Sequence, residues 1–152
     1  MTNQNIPKKI LYWYDNNKRS LPWRKKVSKK KQDYFTLVSE FMLQQTQVKT
    51  VIPYFEKFIK EFPNLKLLAK SSDHKILKNW EGLGYYSRAR NLKKTAIKLL
   101  KDYKGELPED IETLKSLPGI GEYTSRSILA IAHNKPYICL LYTSPSPRDS
   151  RV

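Results

Sequence analysis

Hydrophobic positions recur at helical spacing along most of the chain, and nowhere with the sustained two-residue alternation of a strand. Ile10, Leu11, Trp13 and Tyr14 fall on one face of a helix predicted over residues 7–14, with Pro7 suited to its first turn. Residues 18–31 form a basic stretch broken by Leu21-Pro22-Trp23-Arg24, where Pro22 predicts a turn or loop. Residues 34–43 are dense in apolar side chains and too long for a typical strand, so they predict a buried helix. The polar run 44–47 ends it. A further helix extends to Phe62, bent or begun at Pro53, and Pro63 stops it. Leu65, Leu67 and Leu68 predict a short helix, and Ser72 is suited to cap another over residues 73–80.

Gly82-Leu83-Gly84 predicts a tight turn. In the helix that follows, Ala89, Leu92, Ala96, Leu99, Leu100 and Tyr103 share one stripe, with Gly105 where a C-terminal glycine belongs. A short helix over 111–115 leads to Leu117-Pro118-Gly119-Ile120-Gly121, and a last helix covers 122–133. The single strand candidate, residues 137–142, is short. The pattern therefore predicts an all-α domain.

The chain has 152 residues and a formal net charge of +15. That length suits one domain with a real core. The charge predicts a polyanionic partner, nucleic acid being the commonest, although a lysine-rich source would also raise it. No apolar run approaches the ~18 residues of a membrane span, and residues 1–7 lack the hydrophobic core of a signal peptide. Cys139 is the one cysteine, so no intrachain disulfide can form, which fits a reducing cytoplasm. One thiol also cannot hold a zinc or iron–sulfur site, which needs about four ligands. His74 and His133 lie far apart and read as surface or capping residues.

Three motifs carry chemistry. The Leu-Pro-Gly-Ile-Gly hairpin at 117–121 offers backbone N–H groups, and the helix after it adds the positive end of its dipole. Such a hairpin can clamp phosphate, or serve as a plain interhelical turn. Glu40 lies among apolar residues, where burial would raise its pKa and suit it to act as a general acid; alternatively it faces outward or pairs with a lysine. Beside it, Gln44, Gln45 and Thr46 could meet base edges or a displaced base. In Gly82-Leu83-Gly84-Tyr85-Tyr86-Ser87-Arg88-Ala89-Arg90, Leu83 and Tyr85 could form a wedge while Arg88 and Arg90 hold flanking phosphates. Equally, the first pair could be core and the arginines solvated.

Taken in order, these motifs resemble the helix-hairpin-helix DNA glycosylases, and most closely the adenine glycosylases of the MutY type. Leu-Pro-Trp-Arg at 21–24, Ser-Glu-Phe-Met-Leu-Gln-Gln-Thr-Gln-Val at 39–48, Pro-Tyr-Phe at 53–55, Gly-Leu-Gly-Tyr-Tyr-Ser-Arg-Ala-Arg-Asn at 82–91 and the hairpin carry the likeness, over residues 6–140. The resemblance implies a six-helix-barrel module and a monomer that excises adenine opposite 8-oxoguanine or guanine in double-stranded DNA, in a bacterial cytoplasm at the nucleoid. It implies that Glu40 protonates the leaving adenine and that Gln45 and Thr46 enter the duplex. Leu83 and Tyr85 would probe the 8-oxoguanine side, Trp23 and Arg24 would border the adenine pocket, and Gly119 and Gly121 would hold phosphate. With Glu40, Tyr123 is the other candidate catalytic residue that the resemblance implies. Related bifunctional glycosylase-lyases that act on pyrimidines carry a lysine there, able to form a Schiff base that tyrosine cannot. A non-catalytic DNA-binding module is the other alternative.

Such hydrolysis typically uses two carboxyl groups. The resemblance puts the second, an aspartate opening Asp-Gly-Asn-Val, at the position of Leu141. Residues 142–150 resemble nothing in the family and are rich in serine and proline, so residues 141–152 are expected to be an aberrant, disordered tail. Residues 1–140 are then the N-terminal portion of a truncated catalytic domain. The half expected to hold a [4Fe–4S] cluster in the full-length family is missing, no metal or cofactor is bindable by this chain, and excision should be negligible. The apolar face of residues 7–14 should lack its partner and invite association.

Overall fold

The computed structural model describes residues 21–133. Among these, all regular structure is helical, and no helix is long and apolar enough to cross a membrane. The helix predicted over 7–14, the strand candidate at 137–142 and the tail at 141–152 lie outside the described residues.

The central element is α1, Lys29–Leu43, every residue of which from Asp33 to Met42 is buried. A helix buried on all faces must be enclosed by its neighbours, and α1 is. It packs on α2 (Val48–Glu61), α5 (Ser87–Asp102), α7 (Glu122–Ala132) and a 3-10 turn at Pro22–Arg24. The hydrophobic pattern placed its start five residues late. Ser28 accepts a hydrogen bond from the Lys31 N–H at 3.3 Å, so the basic run supplies the first turn instead of a loop.

Pro53 neither begins nor ends α2, which runs unbroken from Val48 through it. Only one backbone donor is lost there, and Val51, Phe55 and Phe58 bury a stripe that holds the helix to the core. The Tyr34 hydroxyl donates to the Phe62 carbonyl just past its end. Phe35 and Trp23 both meet Phe55 edge to face, with centroids 5.5 and 5.1 Å apart.

Two short helices follow, α3 (Leu65–Lys70) and α4 (Asp73–Trp80), capped by Asn64 and by Ser72 as the sequence predicted for the latter. The stripe of α5 buries Ala89, Leu92, Ala96 and Leu99, whereas Leu100 is part-exposed. Its chain reverses through Lys104 and Gly105, both left-handed, and the Gly105 N–H returns to the Leu99 carbonyl at 2.8 Å. The short α6 (Ile111–Lys115), capped by Asp110, delivers the chain to the glycine hairpin and α7. His133 caps α7 and its ring meets the Leu107 carbonyl at 3.1 Å; His74 is exposed.

Candidate functional site

The hairpin 117–121 is seated on α1 and α5 by specific bonds. Leu117 and Ile120 are buried under it. The Gln44 amide donates to the Gly119 carbonyl and to the Thr124 hydroxyl, each at 3.1 Å, and the Thr95 hydroxyl donates to the Pro118 carbonyl at 2.8 Å. Gly119 has φ +80°, and a Cβ there would come within 2.8 Å of both Asn91 and Phe41. Gly121 differs: its φ is −99° and nothing lies within 4 Å of where a Cβ would be. The fold thus compels glycine at 119 and not at 121. Gly119→Ala should cost about 2–4 kcal/mol in urea melts, whereas Gly121→Ala, which only weakens the N-cap of α7, should cost no more than about 1 kcal/mol. An equal loss at both positions would mean that Gly121 is held by packing too.

Glu40 occupies the inner face of α1 and is only 7% exposed. Burial pushes its carboxyl up to about 7, against the opposing pull of a hydrogen bond from Ser127 and the charge of Arg24. Ser127 lies on α7 one turn beyond Tyr123, so the two share a helix face. Tyr123, near the start of α7, is 61% exposed, while Ser127 meets the buried Glu40. Ser127, Thr124 and Thr95 escaped the sequence reading. The four-residue spacing from Tyr123 to Ser127 was the available signal for the first.

At the end of α1 the backbone turns through Gln45 at φ +61°, which leaves Gln45 exposed. Across from it, Gly82, Gly84 and Tyr85 all have positive φ, at +102°, +79° and +47°. Tyr85 is 62% exposed, but Leu83 is buried. Arg88 is buried too, and its guanidinium is spent on main-chain carbonyls instead of facing outward. The expectation that Arg88 holds a phosphate is therefore corrected: six backbone oxygens already occupy its donors, whereas Arg90 is exposed. Leu83 cannot probe a lesion directly from where it lies, since the turn folds it into the core. Trp23 is buried beside Phe55, and Arg24 is half-buried next to it. Gln44 reaches inward to the hairpin, while Gln45 and Thr46 carry the outward side of that loop.

Glu122 begins α7, where a carboxylate would repel an anion brought to the hairpin. Lys115 at 2.8 Å and Arg126 at 2.6 Å neutralise it and hold its carboxyl below the usual range. A cavity of about 460 Å³ has an apolar floor including Leu37, Leu65 and Leu99. It contains none of the predicted site residues, and its one carboxylate, Asp33, is paired with Lys29 at 2.8 Å. Among the described residues no group of three or more His, Cys, Asp or Glu could hold a metal, and the whole chain has one cysteine. The residues present therefore do not fit an iron–sulfur cluster, which takes about four thiolate ligands.

A profile of the HhH-GPD superfamily base excision DNA repair proteins matches residues 38–140. The adenine DNA glycosylase of Buchnera aphidicola subsp. Baizongia pistaciae is 49% identical over 133 residues, spanning 87% of this chain and 36% of its own. That of Rattus norvegicus is 44% identical over 131 residues, spanning 83% of this chain and 25% of its own. The chain thus covers about a third or less of the length of these relatives. The structure of a thermostable thymine-DNA glycosylase superposes with a TM-score of 0.70 at 27% identity, covering 84% of this chain and 58% of the other. A non-covalent endonuclease III–DNA complex gives 0.66 at 20% identity, covering 85% and 61%, a likeness of fold alone.

Proposed function

The chain belongs to the HhH-GPD superfamily of base excision DNA repair proteins, and on that footing we propose that residues 1–140 form the catalytic portion of an adenine DNA glycosylase. Its substrate is duplex DNA in which adenine is mispaired with 8-oxoguanine or guanine. The observation that carries this reading is Glu40, a carboxyl buried against Ser127 of α7 and pushed up to about 7. The likeness to adenine DNA glycosylases across most of the chain supports the choice of base.

In this reading an adenine swung out of the stack is brought to that carboxyl, where Ser127 and Arg24 are its polar neighbours. Glu40 holds a proton near neutrality and delivers it to a ring nitrogen of the base. The bond from sugar to base then breaks, its electron pair leaves with adenine, and water adds to the oxocarbenium-like sugar, releasing a proton that restores Glu40. Tyr123 offers no amine, so no Schiff base forms and the strand stays uncut. The hairpin N–H groups and the start of α7 take a phosphate of the flipped strand. Gly121, free of packing demands, lets the backbone approach it. Gln45, Thr46 and Tyr85 face the duplex, with Trp23 and Arg24 bordering the pocket. Leu83, Gln44 and Arg88 act from inside.

Fluorescence anisotropy at ~0.15 M salt tests this reading. The chain should bind a duplex with adenine opposite 8-oxoguanine at least about tenfold tighter than a matched duplex, a difference of ~1.4 kcal/mol. Equal affinities would favour the non-catalytic binding module instead.

A further inference from the structure

We propose that Arg88 is a positioning residue that locks the loop after α1 and the 82–85 turn into one unit, so that the two lesion-facing segments hold a single register. The inference rests on reading those segments as the surface that meets the mispair. One arginine serves both. Its Nη1 donates to the carbonyls of Phe41 at 3.3 Å, Met42 at 2.6 Å and Gln44, which belong to the end of α1. Its Nη2 donates to Leu83 at 3.4 Å and Gly84 at 3.1 Å, and its Nε to Tyr85 at 3.4 Å.

All these acceptors are main-chain oxygens. The last carbonyls of a helix have no partner within it and carry the negative end of its dipole, so a cation there serves both needs. No carboxylate is among its hydrogen-bond partners, and the charge is buried at 5% exposure, which is costly unless every donor is used. The guanidinium also lies 5.4 Å from the Trp80 ring and 5.6 Å from that of Tyr85.

The strain in the two loops points the same way. Only three non-glycine residues among those described have positive φ, and two of them are Gln45 and Tyr85. Each directly follows a carbonyl that Arg88 holds, at Gln44 and at Gly84. Left-handed backbone at such residues persists only where the surroundings overdetermine it. Arg88 is the group that does so for both. A lysine could not replace it, because one ammonium with three donors cannot span two sets of carbonyls.

Amide exchange on the full chain without DNA tests the clasp directly. Arg88→Met should speed exchange at 43–47 and at 82–87 together, at least tenfold, with α2 and α7 within twofold. Acceleration at one segment alone, or at neither, would overturn it. Arg88→Lys should not restore protection; full rescue by lysine would assign the role to charge and overturn the clasp. Should Arg88→Met fail to fold, Gly84→Ala carries the test with Arg88 in place. It strains the turn at φ +79° without a clash, and exchange at 43–47 should rise with it; unchanged exchange there overturns the proposal.

On DNA, Arg88→Met should reduce the mispair preference below threefold while leaving matched-duplex affinity and its salt slope unchanged. A salt slope smaller by about one would mean a lost phosphate contact and would overturn the inference. If the unaltered chain shows no mispair preference, the reading of the surface fails, and the exchange experiment still decides the clasp.

Discussion

Glu40→Gln is expected to raise the thermal midpoint by about 5–10 °C at pH 8 and to leave it nearly unmoved at pH 4. Unfolded, the carboxyl titrates near 4.5; folded, burial pushes it up to about 7. Below 4.5 both states keep the proton, so the full contribution of the group is present. Between 4.5 and 7 the folded chain keeps a proton that the unfolded chain releases, and stability falls as pH rises. Above 7 the folded carboxylate ionises as well and the whole cost is in place. That gap corresponds to roughly 3 kcal/mol. Glutamine removes the charge and keeps a polar end for Ser127. A midpoint that rises equally at both pH values, or falls at pH 8, would show that Glu40 does not carry this burden.

The second large effect concerns rate. Glu40 can supply the proton, but glycoside cleavage of this type also needs negative charge against the sugar cation. Leu141 stands where the resemblance places the aspartate. An aliphatic side chain offers no charge to the developing cation, and a single preorganised electrostatic contact is worth on the order of 10²–10³ in rate. Adenine release by this chain should therefore trail that of a full-length relative by about 10³-fold or more, while mispaired duplex is still bound. Binding and bond cleavage are separable here. The hairpin, the loop after α1 and the 82–85 turn, which this reading assigns to binding, all lie among the described residues.

Much of this arrangement was legible in the sequence. The helices from Leu65 onward follow from apolar spacing, and Ser72 sits where its side chain closes a first turn. The hairpin was legible because Gly119 answers a backbone demand that few residues meet. The misread places share a cause: periodicity reports which residues are apolar, not which polar ones turn inward. Arg88 reads as a surface cation until the carbonyls around it are known. Leu83 reads as a wedge because a glycine turn does not reveal which side chain it folds under. Ser28 starts α1 inside a charge run that looks like a loop. Pro53 interrupts a pattern without interrupting the helix, because Val51, Phe55 and Phe58 hold α2 by packing. Glu40 was recognisable as a candidate from its apolar neighbours. Its partners Ser127 and Arg24 required the fold.

The central claim is that Glu40 supplies the acid of an adenine glycosylase whose charge-stabilising partner is replaced by leucine at 141. A single-turnover assay with protein in excess tests it, using a duplex with adenine opposite 8-oxoguanine and the Buchnera adenine DNA glycosylase as reference. Bound duplex, an uncut strand, and adenine release slower than the reference by about 10³-fold or more are expected. Release within tenfold of the reference would contradict the claim.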